Sequence, residues 1–275
     1  MKPLKPAEIL DVTIETGKAK ASGSFGKLFV LGILAGAFIA FAAEGSNMAA
    51  FNLLASPDTY GLGKCLAGSI FGTGLMLVVL AGGELFTGNT LIMAAVADKK
   101  VTFARMLRNW IIVYAGNMVG SLLIAYMINA SGQLDSSAGL LGGMTIKIAA
   151  GKCGLSFLKA FVLGIMCNWL VCLAVWLSFG ADTMSGKILG IFFPIWLFIT
   201  SGFEHSVANM YYIPAGIIAK SNELYVTMSG LSAEALAGLN VQNFLIANLL
   251  PVTLGNIVGG AGFVALAYFY AYKKA

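Results

Sequence analysis

The chain holds a single histidine, His205, inside the run Ser201-Gly202-Phe203-Glu204-His205-Ser206-Val207-Ala208-Asn209-Met210, which interrupts an apolar stretch. An imidazole titrates near 6.5 in water, so it is the side chain best able to exchange a proton with a weak acid at neutral pH. In a soluble core such a histidine is ordinarily a hydrogen-bonded packing residue, whereas inside hydrocarbon an ionisable group is a functional candidate by default. One histidine excludes a bis-histidine haem and argues against a histidine-rich metal site, so no cofactor and no metal are expected. Ser206 gains no nucleophile from adjacency to His205, and no other histidine can act as its base. A second interruption, Ala81-Gly82-Gly83-Glu84-Leu85-Phe86-Thr87-Gly88-Asn89, puts glycines and a carboxylate into another apolar run. Glu84 and Glu204 read as structural acceptors for amides freed where a helix breaks, because a buried carboxylate on the path of an anion would repel it. Cys65, Cys153, Cys167 and Cys172 have no CxxC spacing and read as small core residues.

These residues have to be positioned by helices in a bilayer. Hydrophobic residues make up 59% of the 275 positions and charged residues 11%, too few for a chain that faces water. The uncharged stretches are long enough to cross a hydrocarbon core that needs about 20 residues of helix. A first span runs from Leu28 into the Glu44 region; a second begins after Lys64, meets Glu84 and resumes from Leu85 to Ala97. A third lies between Arg108 and Asp135, and Ala160 to Ala181 forms the fourth. Ile188 to Ala219 is the fifth, broken at Glu204 and His205, and the sixth starts near Val241 and ends at Tyr272. Six spans put both termini on one side. Lys2, Lys5, Lys18, Lys20, Lys27, Lys99, Lys100, Arg105, Arg108, Lys187, Lys273 and Lys274 fall there, most of the 17 basic residues, so both termini are expected in the cytoplasm. The net charge of +5 is spread over loops, which argues against a nucleic-acid partner.

Residues 1–27 are too long and too acidic for a signal peptide, and Ile9, Leu10, Val12 and Ile14 predict an amphipathic helix at the inner face. The expected organisation is this segment, a channel domain over 28–272 and a cytoplasmic tail over 273–275. Lys147, Lys152 and Lys159 fall at the outer mouth, in a long connection between spans three and four.

The halves echo each other in order. Leu31-Gly32-Ile33 recurs as Leu163-Gly164-Ile165, Gly83-Glu84 as Gly202-Phe203-Glu204, and Gly116-Asn117-Met118-Val119-Gly120 as Gly255-Asn256-Ile257-Val258-Gly259. With three spans per repeat, the second must enter the membrane inverted relative to the first. Inverted repeats with interrupted helices at matching places point to a substrate path at the repeat interface near the midplane. The expected fold class is therefore all-α integral membrane, six transmembrane helices as two inverted three-helix repeats with helices two and five broken.

Glu84-Leu85-Phe86-Thr87-Gly88, Cys167-Asn168-Trp169-Leu170-Val171-Cys172 and Gly202-Phe203-Glu204-His205-Ser206-Val207-Ala208-Asn209-Met210 resemble the signature stretches of the formate/nitrite transporter family. The resemblance covers roughly Gly26 to Tyr272 and implies an aquaporin-like fold assembled as a homopentamer with one pore per protomer. It implies His205 as the central pore histidine, Asn168 as its hydrogen-bond partner and Thr87 as a second partner on the loop of span two. Lys152 is similar to the basic residue of the outer vestibule. Phe71, Leu75, Leu85, Phe86, Val171 and Phe198 resemble the apolar residues that narrow the pore, although ordinary helix packing would also explain them. Glu204 is similar to the family's structural glutamate, and Glu84, Asn89 and Asn209 stand at the same breaks as structural residues.

A bare anion pays many kcal/mol to enter an apolar constriction and a neutral weak acid far less. Lys152 and the positive ends of broken helices would draw the anion in, and His205 would give it a proton or a strong hydrogen bond. The substrate expected first is formate, then nitrite, then hydrosulfide, carried across the cell (inner) membrane by a channel that is not an enzyme. A membrane anchor of an oxidoreductase is the reading from another class, and no haem ligand, iron–sulfur spacing or nucleotide motif supports it.

Overall fold

The structure is a computed structural model that describes residues 3–273. All regular structure in it is helical. Helix α1 (Pro6–Ala21) precedes α2 (Phe25–Leu54) and α3 (Tyr60–Met76), whose last turns widen into a π-helix over Leu77–Gly82. After a break come the short α4 (Phe86–Asn89) and α5 (Ile92–Ala97), then α6 (Phe103–Ala130). Helix α7 (Leu140–Cys153) leads to α8 (Phe157–Gly180), α9 (Met184–Thr200) and, after a second break, α10 (Ser206–Ala219). The short α11 (Glu223–Ser229) and α12 (Ala233–Gly238) precede a last rod from Asn243 to Tyr272, made of α13 (Leu250–Ile257), α14 (Ala267–Tyr272) and π-helical segments before each.

Among the described residues five helices are long and apolar enough to cross a membrane: Phe25–Leu54, Tyr60–Gly82, Phe103–Ala130, Phe157–Gly180 and Asn243–Tyr272. Met184–Thr200 and Phe86–Ala97 are shorter apolar helices, as expected of spans cut by a polar interruption. The starts of α6, α8 and α9 are set by hydroxyl caps, with Thr102, Ser156 and Thr183 accepting from Arg105, Lys159 and Gly186 N–H. Polarity is arranged for lipid. Val30, Phe41, Ile111, Leu123, Tyr126, Leu189 and Phe193 are exposed, while Asn89, Asn109, Asn117, Asn168, Asn209, Asn248 and Asn256 are buried.

Two helix pairs form the frame, α2 against α6 and α8 against α13. Both depend on glycine at the crossing. A methyl group on Gly116 would sit 2.7 Å from the Phe29 carbonyl oxygen, and one on Gly164 would sit 2.8 Å from that of Val252. Only a residue without Cβ allows backbones to approach so closely, and in lipid close packing is the main force holding helices together.

The structure alters several expectations. The first span extends to Leu54, well past Glu44, whereas the sixth helix starts where expected, its helical backbone running back from Asn243 to Val241. The long connection after the third span is mostly helix: α7 is buried against α10, α11 and α2 and carries Lys147 and Lys152. Helix α1 does not lie out on a lipid surface with its apolar side; Ile9, Leu10 and Ile14 are buried, and the helix packs on α5 and α8. Of the cysteines, Cys153, Cys167 and Cys172 are buried and Cys65 is half-buried, all as free thiols. The expected tail over 273–275 lies outside the described residues except for Lys273, which ion-pairs with Asp98 at 2.9 Å. That hydrogen bond holds the Asp98 carboxyl below its usual range.

Candidate functional site

Both breaks are held by the same set of bonds. Ahead of each stands a glycine at positive φ, Gly82 at +97° and Gly202 at +75°, a conformation that disfavours any side chain. Gly83, the next residue in the first break, is in ordinary extended backbone. The N–H of Glu84 donates to the Leu31 carbonyl at 3.0 Å, and that of Glu204 to the Leu163 carbonyl at 3.3 Å. Asn117 Oδ1 accepts from Phe86 N–H at 2.9 Å while its amide donates to the carbonyls of Gly32 and Glu84. Asn256 does the same for Ser206 N–H, Gly164 and Glu204. The sequence echoes are thus the donors and acceptors that satisfy backbone freed inside a bilayer, where an orphan group costs several kcal/mol.

The carboxylates do a different job from the one expected. They do not take the freed backbone amides; Asn117, Asn256 and the carbonyls of Leu31 and Leu163 do. Glu84 instead accepts Lys20 Nζ at 2.9 Å and Asn89 Nδ2 at 2.6 Å, and Glu204 accepts Lys152 Nζ at 2.8 Å and Asn209 Nδ2 at 2.6 Å. Asn89 also donates to Asn109 and Asn209 to Asn248; Asn109 in turn donates to the Lys20 carbonyl and Asn248 to that of Lys152. Each cluster is a lysine, a glutamate and two asparagines, one built on α1 and one on α7.

Sequence reasoning missed Lys20, Asn109 and Asn248. The signal that could have found the asparagines is their spacing, since Asn109 precedes Asn117 by the same interval as Asn248 precedes Asn256. Nothing local marked Lys20 among the N-terminal lysines, because its partner Glu84 is distant in sequence. It also missed Glu44, buried in α2, whose carboxylate accepts the Tyr211 hydroxyl.

Two cavities meet these clusters. One of about 360 Å³ is lined by Lys64, Lys147, Lys152, Glu204, His205 and Phe198, among others. The other, about 310 Å³, is lined by Lys20, Lys27, Glu84, Leu75, Leu85 and Gly88, among others. Between them His205 and Thr87 meet: Thr87 Oγ1 lies 3.0 Å from His205 Nε2, both residues buried. His205 is the N-cap of α10, its Nδ1 accepting from Ala208 N–H at 3.0 Å. With Nδ1 used as an acceptor, the neutral ring carries its hydrogen on Nε2, aimed at Thr87.

Asn168 is not bonded to His205, which corrects the expected pairing. Its amide donates to the Thr87 carbonyl at 3.2 Å, to Thr90 Oγ1 at 3.1 Å and to the Asn256 carbonyl at 2.7 Å. Thr90 Oγ1 and Cys172 Sγ also donate to the Thr87 carbonyl, so Asn168 acts on the histidine only by fixing Thr87. Lys152 is no free vestibular charge; its ammonium is paired with Glu204 and lies 5.2 Å from the Tyr212 ring centroid. The amides expected to present a positive helix end to an anion are partly consumed, Phe86 N–H by Asn117, Ser206 N–H by Asn256 and Ala208 N–H by His205.

The six expected constriction residues are all buried. Phe198 lies 6.1 Å from the His205 ring and meets Phe71 edge-on at 5.6 Å, and Leu75 and Leu85 line the second cavity. Phe86 packs edge-on against Trp110 and Tyr114 and, like Val171, lines neither cavity.

Thr87→Ala is expected to leave the assembly intact, because the loop keeps its carbonyl bonds to Asn168 and Thr90, and to remove one neutral hydrogen bond worth about 1 kcal/mol. Flux or its pH profile should change severalfold while the elution profile stays that of the parent. Unchanged flux at every pH would remove Thr87 from the path.

Residues 7–270 match the family described as formate/nitrite transporter. The chain is 40% identical over 283 residues to the "Probable formate transporter" of Methanothermobacter thermautotrophicus, covering 98% of this chain and 97% of that one. It is 38% identical over 277 residues to the "Formate channel FocA" of Escherichia coli (strain K12), covering 98% and 95%. Among solved structures it is similar to a "Pentameric formate channel with formate bound", with TM-score 0.83 and 41% identity over 91% of this chain and 98% of that one. It is also similar to an "FNT family ion channel", with TM-score 0.78 and 28% identity over 96% and 98%.

Proposed function

The chain belongs to the formate/nitrite transporter family, and from that premise we propose that it is a formate channel with one pore in each protomer of a homopentamer. It is a multi-pass membrane protein and a transporter rather than an enzyme. The observation that carries the reading is the His205–Thr87 contact, buried between two cavities that are each lined by lysines. In the proposed path a monovalent anion collects in a basic cavity, sheds water against Phe198, Phe71 and Leu75, and takes a hydrogen bond from His205 Nε2. A donor in that dry region lowers the cost of the anion's charge where water cannot.

We read the six spans as two inverted three-helix repeats with the breaks at Glu84 and Glu204 facing each other across the midplane. The matching lysine clusters support this, and on this reading α1 and α7 are equivalent helices ahead of each repeat. On this reading both termini are cytoplasmic, the cavity with Lys20 opens inward and that with Lys152 opens outward, in the cell (inner) membrane. Helix α1 then belongs to the inner vestibule rather than standing apart as a tail.

The test is flux into liposomes of formate, nitrite and hydrosulfide measured side by side, with the mass of the purified assembly. Formate is expected to pass fastest, through a particle of five chains. Nitrite or hydrosulfide passing at least about tenfold faster than formate would reassign the substrate, and a protein with no anion flux above empty liposomes would reject the channel.

A further inference from the structure

We propose that Lys64 forms an anion-binding station in the outer cavity, one step ahead of His205, and supplies the capture charge that Lys152 cannot. The proposal rests on the channel reading above and deepens it. The cavity lining includes three lysines, Lys64, Lys147 and Lys152, and a single carboxylate, Glu204. That carboxylate is engaged at both oxygens. One oxygen takes Lys152 at 2.8 Å, and the other takes Asn209 at 2.6 Å and Asn248 at 3.4 Å. Lys152 and Glu204 cancel as a pair, so the cavity keeps a positive surplus.

Of the remaining two lysines, Lys147 is exposed, whereas Lys64 is half-buried and lines the cavity from α3, a different helix from the α7 that carries Lys152. Among the described residues no hydrogen bond or ion pair to Lys64 is made. The charges acting on it are Lys152 and Glu204, one of them of its own sign. Its Nζ reaches the loop that ends in His205: a methyl group on Gly202 would lie 3.8 Å from it. An ammonium drawn partly out of water with no carboxylate in direct contact is costly, and a small monovalent anion such as a monocarboxylate offsets that cost when it sits against Nζ. Low-dielectric walls strengthen the attraction, which raises the local anion concentration at the mouth of the constriction. Lys152 then has a positioning role, holding Glu204, Asn248 and the break in place.

The experiment compares initial formate flux against concentration for the full-length parent, Lys64→Gln, Lys64→Met, Lys64→Arg and Lys147→Gln, at low and high ionic strength, with elution profiles of each. Both neutral variants at position 64 should raise KM by about threefold or more at low ionic strength with little change in maximal flux, and the difference should shrink as salt screens the charge. Lys64→Arg should stay near the parent, and Lys147→Gln should shift KM less than Lys64→Gln. Lys64→Met keeps the stem's bulk and so covers the case in which the glutamine variant misfolds. Parental KM in both neutral variants, a KM in Lys64→Arg as poor as in Lys64→Gln, or loss of the assembly in both neutral variants would each overturn the station. Should the parent pass nitrite and not formate, the substrate reading fails, and the same comparison run with nitrite still decides the role of Lys64.

Discussion

His205→Leu is expected to cut formate flux by about tenfold to a hundredfold in liposomes while the protein still assembles. The figure follows from losing a hydrogen bond to a charged group in a dry constriction, about 1.5–3 kcal/mol, with each 1.36 kcal/mol of barrier worth a factor of ten. Leucine also removes the cap on α10, because His205 Nδ1 accepts from Ala208 N–H at 3.0 Å. A lost cap costs about 1 kcal/mol of helix stability, so the leucine variant alone mixes two effects. His205→Asn separates them. Asparagine is a good N-cap and can accept from Ala208 N–H, but it is too short to replace Nε2 opposite Thr87. If the ring nitrogen is what the anion uses, the asparagine variant should melt close to the parent and still lose most of its flux and its pH dependence. Full flux with a normal pH profile in both variants would reject the pore-centre role, and loss of flux tracking only loss of the assembly would make His205 structural.

Much of this arrangement was legible in the sequence because lipid leaves so few solutions for polar backbone. Glu84 and Glu204 within apolar runs mark the breaks, and the recurring Leu-Gly-Ile and Gly-Asn stretches are the carbonyls and amides that satisfy them. What was not legible depends on distance along the chain. Lys20 and Glu84 have no local relation, so the amphipathic pattern of α1 suggested a membrane-surface helix when its polar side in fact reaches a buried cluster. Asn168 was paired with the wrong residue for a similar reason. A motif gives neighbours along α8, but only the fold shows that the Thr87 carbonyl lies nearer to its amide than His205 does. Helix α7 hid in a connection because glycines, lysines and small residues read as loop when the partners that bury it, α10 and α11, come later in the chain. The role of Lys152 turned on the same point, since a basic residue looks free until its carboxylate partner is located.

The matched breaks lead to the second large effect. Asn117→Leu and Asn256→Leu should each destabilise the protein by several kcal/mol, and by similar amounts. Asn256 accepts from Ser206 N–H at 2.9 Å and donates to the carbonyls of Gly164 at 2.8 Å and Glu204 at 3.0 Å, all buried. Leucine has nearly the same shape and offers none of these, and each orphaned buried group costs about 1–3 kcal/mol. The loss at Asn117 should match, because Phe86 N–H and the carbonyls of Gly32 and Glu84 stand in the same relation to it. Water from the neighbouring cavities would soften both penalties rather than cancel them. Aspartate at either position discriminates further. It keeps an acceptor for the amide hydrogen while setting an anionic oxygen against two carbonyls, so Asn256→Asp should be no better than Asn256→Leu. The readout is thermal stability of the detergent-solubilised assembly, followed by elution profile. A parental melting temperature for Asn256→Leu would show that the break stands without its clamp, and a large loss at one asparagine with none at the other would end the equivalence of the two halves.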